Sequence, residues 1–187
     1  MDDQIDNRLM DAKAMELAIE RLASKIIESF PGKELKSMAL LGIQERGAWL
    51  AQRLYKRVFA MSGNKPLIGT IDTSMYRDDI GMRKNLARIL ETSIPFDVND
   101  RNIVLVDDVL SSGRTIRAAL DGITDFGRPK TIRLAVLVDR GGREFPISAD
   151  FVGMKYSVLQ GEKVHVCFKD HDGEDIVYTI SRKEGGK

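Results

Sequence analysis

The sequence is poor in the residues that build reactive or cross-linked sites. One cysteine, Cys167, stands in 187 residues, so no intramolecular disulfide can form and a disulfide-stapled secreted design is excluded. Two histidines, His165 and His171, do not make a zinc cluster with a single thiol. The phosphate loop GxxxxGK[ST], the dinucleotide loop G-x-G-x-x-G and the acyl-transfer elbow G-x-S-x-G are all missing. No apolar run is long enough to span a bilayer. The start, MDDQIDNRLMD, is too acidic and polar for a signal or transit peptide, so the expected location is cytoplasmic, with no membrane partner. A formal net charge of +1 gives no whole-chain field toward nucleic acid and leaves only local patches. There is no internal repeat and no low-complexity segment.

What is present reads as one α/β domain over residues 1–187. Residues 1–10 look frayed. Met15, Ala18, Ile19, Leu22, Ile26, Ile27 and Phe30 recur at helical spacing and predict a helix over 10–30, opened by Asp11 and closed by Pro31-Gly32. Its other face, with Glu20, Arg21, Lys25 and Glu28, reads as solvated. SMALLG, 37–42, is a short buried strand. It leads through GIQERG, 42–47, into a helix over 48–59 with Trp49, Leu50, Leu54, Val58 and Phe59 inward. LIGTID is the next strand. TIRLAVLV, 131–138, is another, ending in a polar glycine loop, 139–144. Two strands, 163–168 and 175–180, close the chain. Residues 73–93 have poor apolar periodicity and carry Arg77, Arg83, Lys84 and Arg88. A polar stretch of that length reads as a lid over a polyanion or as a β-arm in subunit contact.

The centre of the chain is IVLVDDVLSSGRTIRAALD, 103–121. Four apolar residues run into Asp107 and Asp108, then a small-residue loop, then a helix. A buried strand of this kind belongs to a parallel sheet, whose ligand sites lie at the carboxyl ends of strands. Asp107 and Asp108 suit two sugar hydroxyls or a Mg²⁺ ion. Ser111, Ser112 and Thr115 offer hydroxyls beside Gly113 and the new helix's amides, a setting for an anion. The plain alternative is a solvated strand end. Arg46 or the 42–47 amides form a second candidate anion site. The four loops together suit a phosphorylated sugar bearing a second phosphate group.

GIQERG, IDTSMYRDDI, VDDVLSSGRTIRAALD and LAVLVDRGGREFPISADFVG, in this order, resemble the bifunctional pyrimidine operon attenuator/uracil phosphoribosyltransferase family, within the type I phosphoribosyltransferases. The resemblance runs from about residue 15 to residue 180. It implies a central, mainly parallel sheet flanked by helices, with a small hood over 139–180 and a flexible lid over 73–93. It implies the conversion of uracil and phosphoribosyl pyrophosphate to UMP and pyrophosphate with Mg²⁺. Asp107 and Asp108 then address the ribose or the metal. Ser111, Ser112, Gly113, Arg114 and Thr115 cradle the 5′-phosphate. Glu45, Arg46 and Gly47 form the pyrophosphate loop, Arg77 meets the leaving group, and Asp139 and Arg140 border the base. It further implies a homodimer or higher homo-oligomer, and binding to pyrimidine leader mRNA through Arg21 and Arg143. The chain departs from that RNA pattern at Glu20, Ser24 and Gly142, and from the family's usual Tyr-Thr at Ser111-Ser112. Transfer to another base, an RNA regulator with little turnover, and a structural protein are the competing readings.

Overall fold

The computed structural model describes residues 5–76, 91–159 and 161–181. Five strands make one parallel sheet: β2 (Ala39–Ile43), β3 (Leu67–Ile71), β4 (Asn102–Leu110), β5 (Thr131–Asp139) and β6 (Phe151–Lys155). Their order is β3-β2-β4-β5-β6. The apolar runs that form β2, β4 and β5 are buried on both faces because helices cover both. On one side lie α1 (Ala12–Ser29) and α3 (Arg46–Ser62), on the other α4 (Arg114–Thr124). A short helix, α2 (Lys33–Ser37), links α1 to β2. Helix α1 forms as its periodicity predicts. Met15, Ala18, Ile19, Leu22, Ala23 and Ile26 are buried, each larger side chain contributing roughly 1.5–3 kcal/mol. Asp11 caps it, its Oδ1 accepting the Ala14 N–H at 2.8 Å.

Three strands form a second, antiparallel sheet in the order β1-β8-β7: β1 (Ile5–Met10), β7 (Glu162–Cys167) and β8 (Ile176–Ser181), with a single helical turn, α5 (Lys169–Asp172), between the last two. Here the expectation of a frayed start is corrected. Ile5–Met10 pairs with β8, and Met10 is buried. The strand is invisible to periodicity because its register is interrupted twice. One face of this sheet, carrying Val166 and Val177, joins the α1–α3 core. Phe59, expected inside, is 40% exposed at the last turns of α3. No helix among the described residues is long and apolar enough to cross a membrane.

The chain winds from β2 outward to β3, then returns beyond β2 to β4 and continues the other way through β5 and β6. The direction therefore switches between β2 and β4. Past that point β4 pairs, among the described residues, with β5 alone, since β2 ends its pairing at Val106. A crevice opens there, at the carboxyl ends of the strands.

Candidate active site

Asp107 and Asp108 lie in the crevice, still within β4 rather than in the loop after it. Asp107 is 7% exposed and its Oδ1 accepts the Asp108 N–H at 3.0 Å. The Asp108 Oδ1 accepts the Val109 N–H at 2.9 Å. Burial pushes the Asp108 carboxyl above its usual range, against the hydrogen bonds from Asp107 and Val109 and the charge of Arg46, which pull it down. The pair is thus an acidic edge in a partly desolvated crevice.

Helices α3 and α4 both start at this crevice. The first amides of a helix have no acceptor within it. Asp11 answers that need in α1, but Glu45 at the start of α3 and Gly113 at the start of α4 make no side-chain cap. At α4 the Arg114 N–H donates to the Ser112 Oγ at 3.4 Å. Two helix N-termini whose leading residues give no side-chain cap thus border two carboxylates, a setting for phosphate groups. Gly47 brings α3 so close that an added Cβ would lie 2.4 Å from the Val106 carbonyl oxygen and 3.0 Å from the Asp107 Cα. Gly113 turns into α4 at φ 90°, a conformation that favours glycine. Ser111, Ser112, Arg114 and Thr115 stand around it, half-buried.

The segment after β5 folds back on this loop. Glu144 and Phe145 N–H donate to the Ser112 carbonyl at 2.9 and 3.0 Å, and Arg114 Nε donates to Glu144 at 2.7 Å. Arg143 fastens the fold-back. It bonds the Asp139 carboxylate at 2.7 Å, the Ser111 carbonyl at 2.8 Å and the Ile147 carbonyl at 2.8 Å. Burial raises the Asp139 carboxyl, yet Arg143 and the Gly141 N–H outweigh it and hold it below the usual range. Arg143 is thereby engaged inside the chain, whereas Arg21 is exposed on α1.

Arg46 and Arg140, both assigned to ligands by the sequence, reach the antiparallel sheet. Arg46 Nε donates to the Val166 carbonyl at 2.6 Å, and Arg140 donates to the Glu162 carbonyl at 3.1 Å. Strand β7 is thus pinned across the carboxyl ends of the parallel sheet and roofs the crevice. Neither histidine enters it: His171 stacks on Trp49 with ring centroids 3.7 Å apart, and His165 stacks on Tyr178 at 5.6 Å. Burial and the Asp172 carboxylate push the Cys167 thiol up, which disfavours a thiolate nucleophile.

Arg77, Arg83, Lys84 and Arg88 lie outside the described residues. The ends of that stretch are fixed. Tyr76 donates its hydroxyl to Asp125 at the end of α4, Ser93 pairs with Thr70 of β3, and Gln44 Nε2 donates to the Glu91 carbonyl at 3.2 Å. Sequence reasoning missed Asp72, which is 8% exposed and accepts from the Ser74 N–H and hydroxyl at 2.9 and 2.7 Å. A carboxylate at the end of LIGTID was the available signal. A groove of about 710 Å³ between α1 and α3 contains none of the candidate residues, and its arginines are paired with Glu16, Asp170 and Asp175.

Comparison with known proteins fits this geometry. Residues 7–169 match the phosphoribosyl transferase domain model. Bifunctional protein PyrR of Listeria monocytogenes serotype 4b is 44% identical over 179 residues, covering 94% of this chain and 97% of that protein. The chain belongs to the phosphoribosyl transferase family, among the PyrR proteins. Bifunctional protein PyrR of Clostridioides difficile is 46% identical over 170 residues, covering 91% of this chain and 95% of the relative. The fold of this phosphoribosyl transferase is also that of hypoxanthine phosphoribosyltransferase from Trypanosoma cruzi, solved with IMP. The TM-score is 0.73 at 16% identity, with 95% of each chain covered. A hypoxanthine-guanine phosphoribosyltransferase from Bacillus anthracis matches with a TM-score of 0.70 at 18% identity, covering 95% of this chain and 99% of the other.

Proposed function

We propose that this phosphoribosyl transferase is a uracil phosphoribosyltransferase, converting uracil and 5-phosphoribosyl 1-diphosphate to UMP and diphosphate. The observation that carries the reading is the acidic edge of β4 set between two helix N-termini whose leading residues, Glu45 and Gly113, give no side-chain cap. One terminus suits the 5′-phosphate and the other the 1-diphosphate, with the ribose held between them at Asp107 and Asp108.

In the reaction the bond from the anomeric carbon to diphosphate breaks, its electron pair leaving on diphosphate oxygen. The bond to uracil N1 forms as that nitrogen gives up its proton to solvent. Positive charge grows on the ribose ring between the two events. Asp107 and Asp108 favour that charge and orient the ribose hydroxyls. The amides of Glu45, Arg46 and Gly47 receive the diphosphate. Ser111, Ser112, Gly113, Arg114 and Thr115 hold the 5′-phosphate. Asp139 and Arg140, under β7, border the base, and Arg77 addresses the leaving group. No covalent nucleophile is required. Two carboxylates with substrate phosphate oxygens are a fitting hard-oxygen set for Mg²⁺, which neutralises diphosphate charge when bound.

The test is to supply phosphoribosyl diphosphate and Mg²⁺ with uracil, cytosine, adenine, guanine and hypoxanthine in turn, and to measure nucleotide formed. UMP alone is expected. A purine nucleotide, or no product, overturns the assignment.

The designation of the relatives as bifunctional supports a second activity, binding to pyrimidine leader RNA. Its basic contribution here is Arg21, because Arg143 is internally bonded. A gel shift with leader RNA at low salt that disappears in Arg21→Glu supports this role; no shift at low salt removes it. Self-association to a homo-oligomer is part of the same reading and is read out by light scattering.

A further inference from the structure

The geometry points to Arg46 as a positioning residue that couples diphosphate binding in the loop after β2 to the placement of β7 over the base. The inference rests on the reading that this loop takes the diphosphate.

Arg46 opens α3, so its amide belongs to the diphosphate loop. Its side chain does not stay there. Nε donates to the Val166 carbonyl at 2.6 Å, Nη2 meets Asp172 at 3.3 Å, and the guanidinium lies 5.7 Å from the centre of the Trp49 ring. Val166 is 120 residues away in sequence and belongs to a different sheet. Arg140 holds the same strand at Glu162, four residues along. Displacement of Arg46 therefore swings one end of β7 about a point fixed at the other. A guanidinium that turned to face diphosphate would have to release both the carbonyl and the carboxylate. The backbone of the same residue can bind the anion while the side chain keeps its hold. Loop and roof then move together, and the base side closes when the diphosphate side fills.

Trp49, the one tryptophan of the chain, reports on this joint. It stacks on His171 of α5, the turn that carries Asp172, with rings 6° from parallel. Any shift of the antiparallel sheet against α3 changes that stack.

The experiment titrates the full chain with inorganic diphosphate and Mg²⁺ while following Trp49 emission, then measures KM for uracil and for phosphoribosyl diphosphate. The wild type shows a saturable emission change. Arg46→Met weakens diphosphate binding through the loss of a positive charge beside the loop, and at saturating diphosphate it loses most of the emission change. At saturating phosphoribosyl diphosphate its KM for uracil rises about tenfold, the effect of one lost charge-assisted hydrogen bond. Arg46→Lys restores part of both readouts. Asp172→Asn, a surface change that leaves the main-chain bond to Val166, moves them the same way by a smaller factor.

An Arg46→Met variant that loses diphosphate affinity yet keeps the full emission change at saturation makes Arg46 a ligand only and overturns the inference. So do an unchanged emission response and uracil KM in Arg46→Met and Asp172→Asn. The emission readout needs no acceptor base. An error in the uracil assignment leaves it intact, whereas an error in the coupling abolishes it while UMP formation stands.

Discussion

Replacing Gly47 by alanine tests the crevice at its narrowest point. The new Cβ would sit 2.4 Å from the Val106 carbonyl oxygen, 3.0 Å from the Asp107 Cα and 3.2 Å from its Oδ1, where ordinary contacts begin at 3.4 Å. The two nearer atoms are both backbone of the central strand β4, so no side chain can rotate away. The start of α3 and the end of β4 must separate by about 1 Å. Overpacking of this kind costs about 1–3 kcal/mol. For a chain of this size that lowers the melting temperature by roughly 2–10 °C. The catalytic effect is larger, because the displaced parts are the diphosphate amides and the ribose carboxylates. A misplacement of about 1 Å can cost on the order of 10²-fold in rate. Calorimetry and steady-state kinetics with phosphoribosyl diphosphate, Mg²⁺ and uracil measure both effects. A variant with unaltered melting and kcat/KM within about twofold of wild type would refute the claim that this contact sets the site's geometry.

Four further outcomes are expected. Asp108→Asn raises the melting temperature at neutral pH while lowering kcat/KM by at least about 10²-fold, and equal or lower stability refutes the burial argument. The sign follows from the raised carboxyl: folding opposes its ionisation, so its contribution to stability is fully present below the unfolded carboxyl's range and is lost as pH rises through the folded value, a deficit at neutral pH that asparagine does not carry. Arg143→Met costs about 1–3 kcal/mol at pH 7, and this deficit shrinks in acid. Asp139 is held low by Arg143, so its stabilisation is present above the unfolded carboxyl's range and lost as pH falls through the folded value; a deficit constant with pH in thermal melts contradicts this. Thr179→Val stabilises by roughly 1 kcal/mol in denaturant titrations, because the buried Thr179 hydroxyl has no hydrogen-bond partner among the described residues and valine has its shape; destabilisation refutes this. Mg²⁺ alone leaves the melting temperature almost unchanged, whereas Mg²⁺ with phosphoribosyl diphosphate raises it, since two carboxylates need substrate oxygens to complete the site; an equal shift from the metal alone refutes the shared coordination.

How much of this was legible beforehand varies by residue. The strand ending in Asp107-Asp108 and the helix α1 were plain, because apolar periodicity and burial are local signals. That the carboxylates remain in β4 was not, because it depends on β5 running alongside as far as Asp139. Strand β1 was missed because its partner, β8, lies at the other end of the chain. The resemblance implies a place for Arg46 in the pyrophosphate loop, for Arg140 beside the base and for Arg143 at leader RNA. Within the chain their side chains bind carbonyl oxygens at Val166, Glu162, Ser111 and Ile147. A main-chain acceptor leaves no residue-type signature, so no pattern in the sequence could reveal those bonds.

The sequence by itself determined strands β2, β3, β4 and β5 with helices α1, α3 and α4 among them, the acidic pair on the central strand, and the small-residue turn beside it. Those follow from spacing and residue type within a few positions. Only the tertiary structure decided that the winding reverses between β2 and β4, that Gly47 closes the crevice to contact distance, and that β7 roofs it under two arginines. Each of those depends on groups separated by tens of residues in sequence. Their meeting is fixed by the packing of whole elements rather than by any local preference.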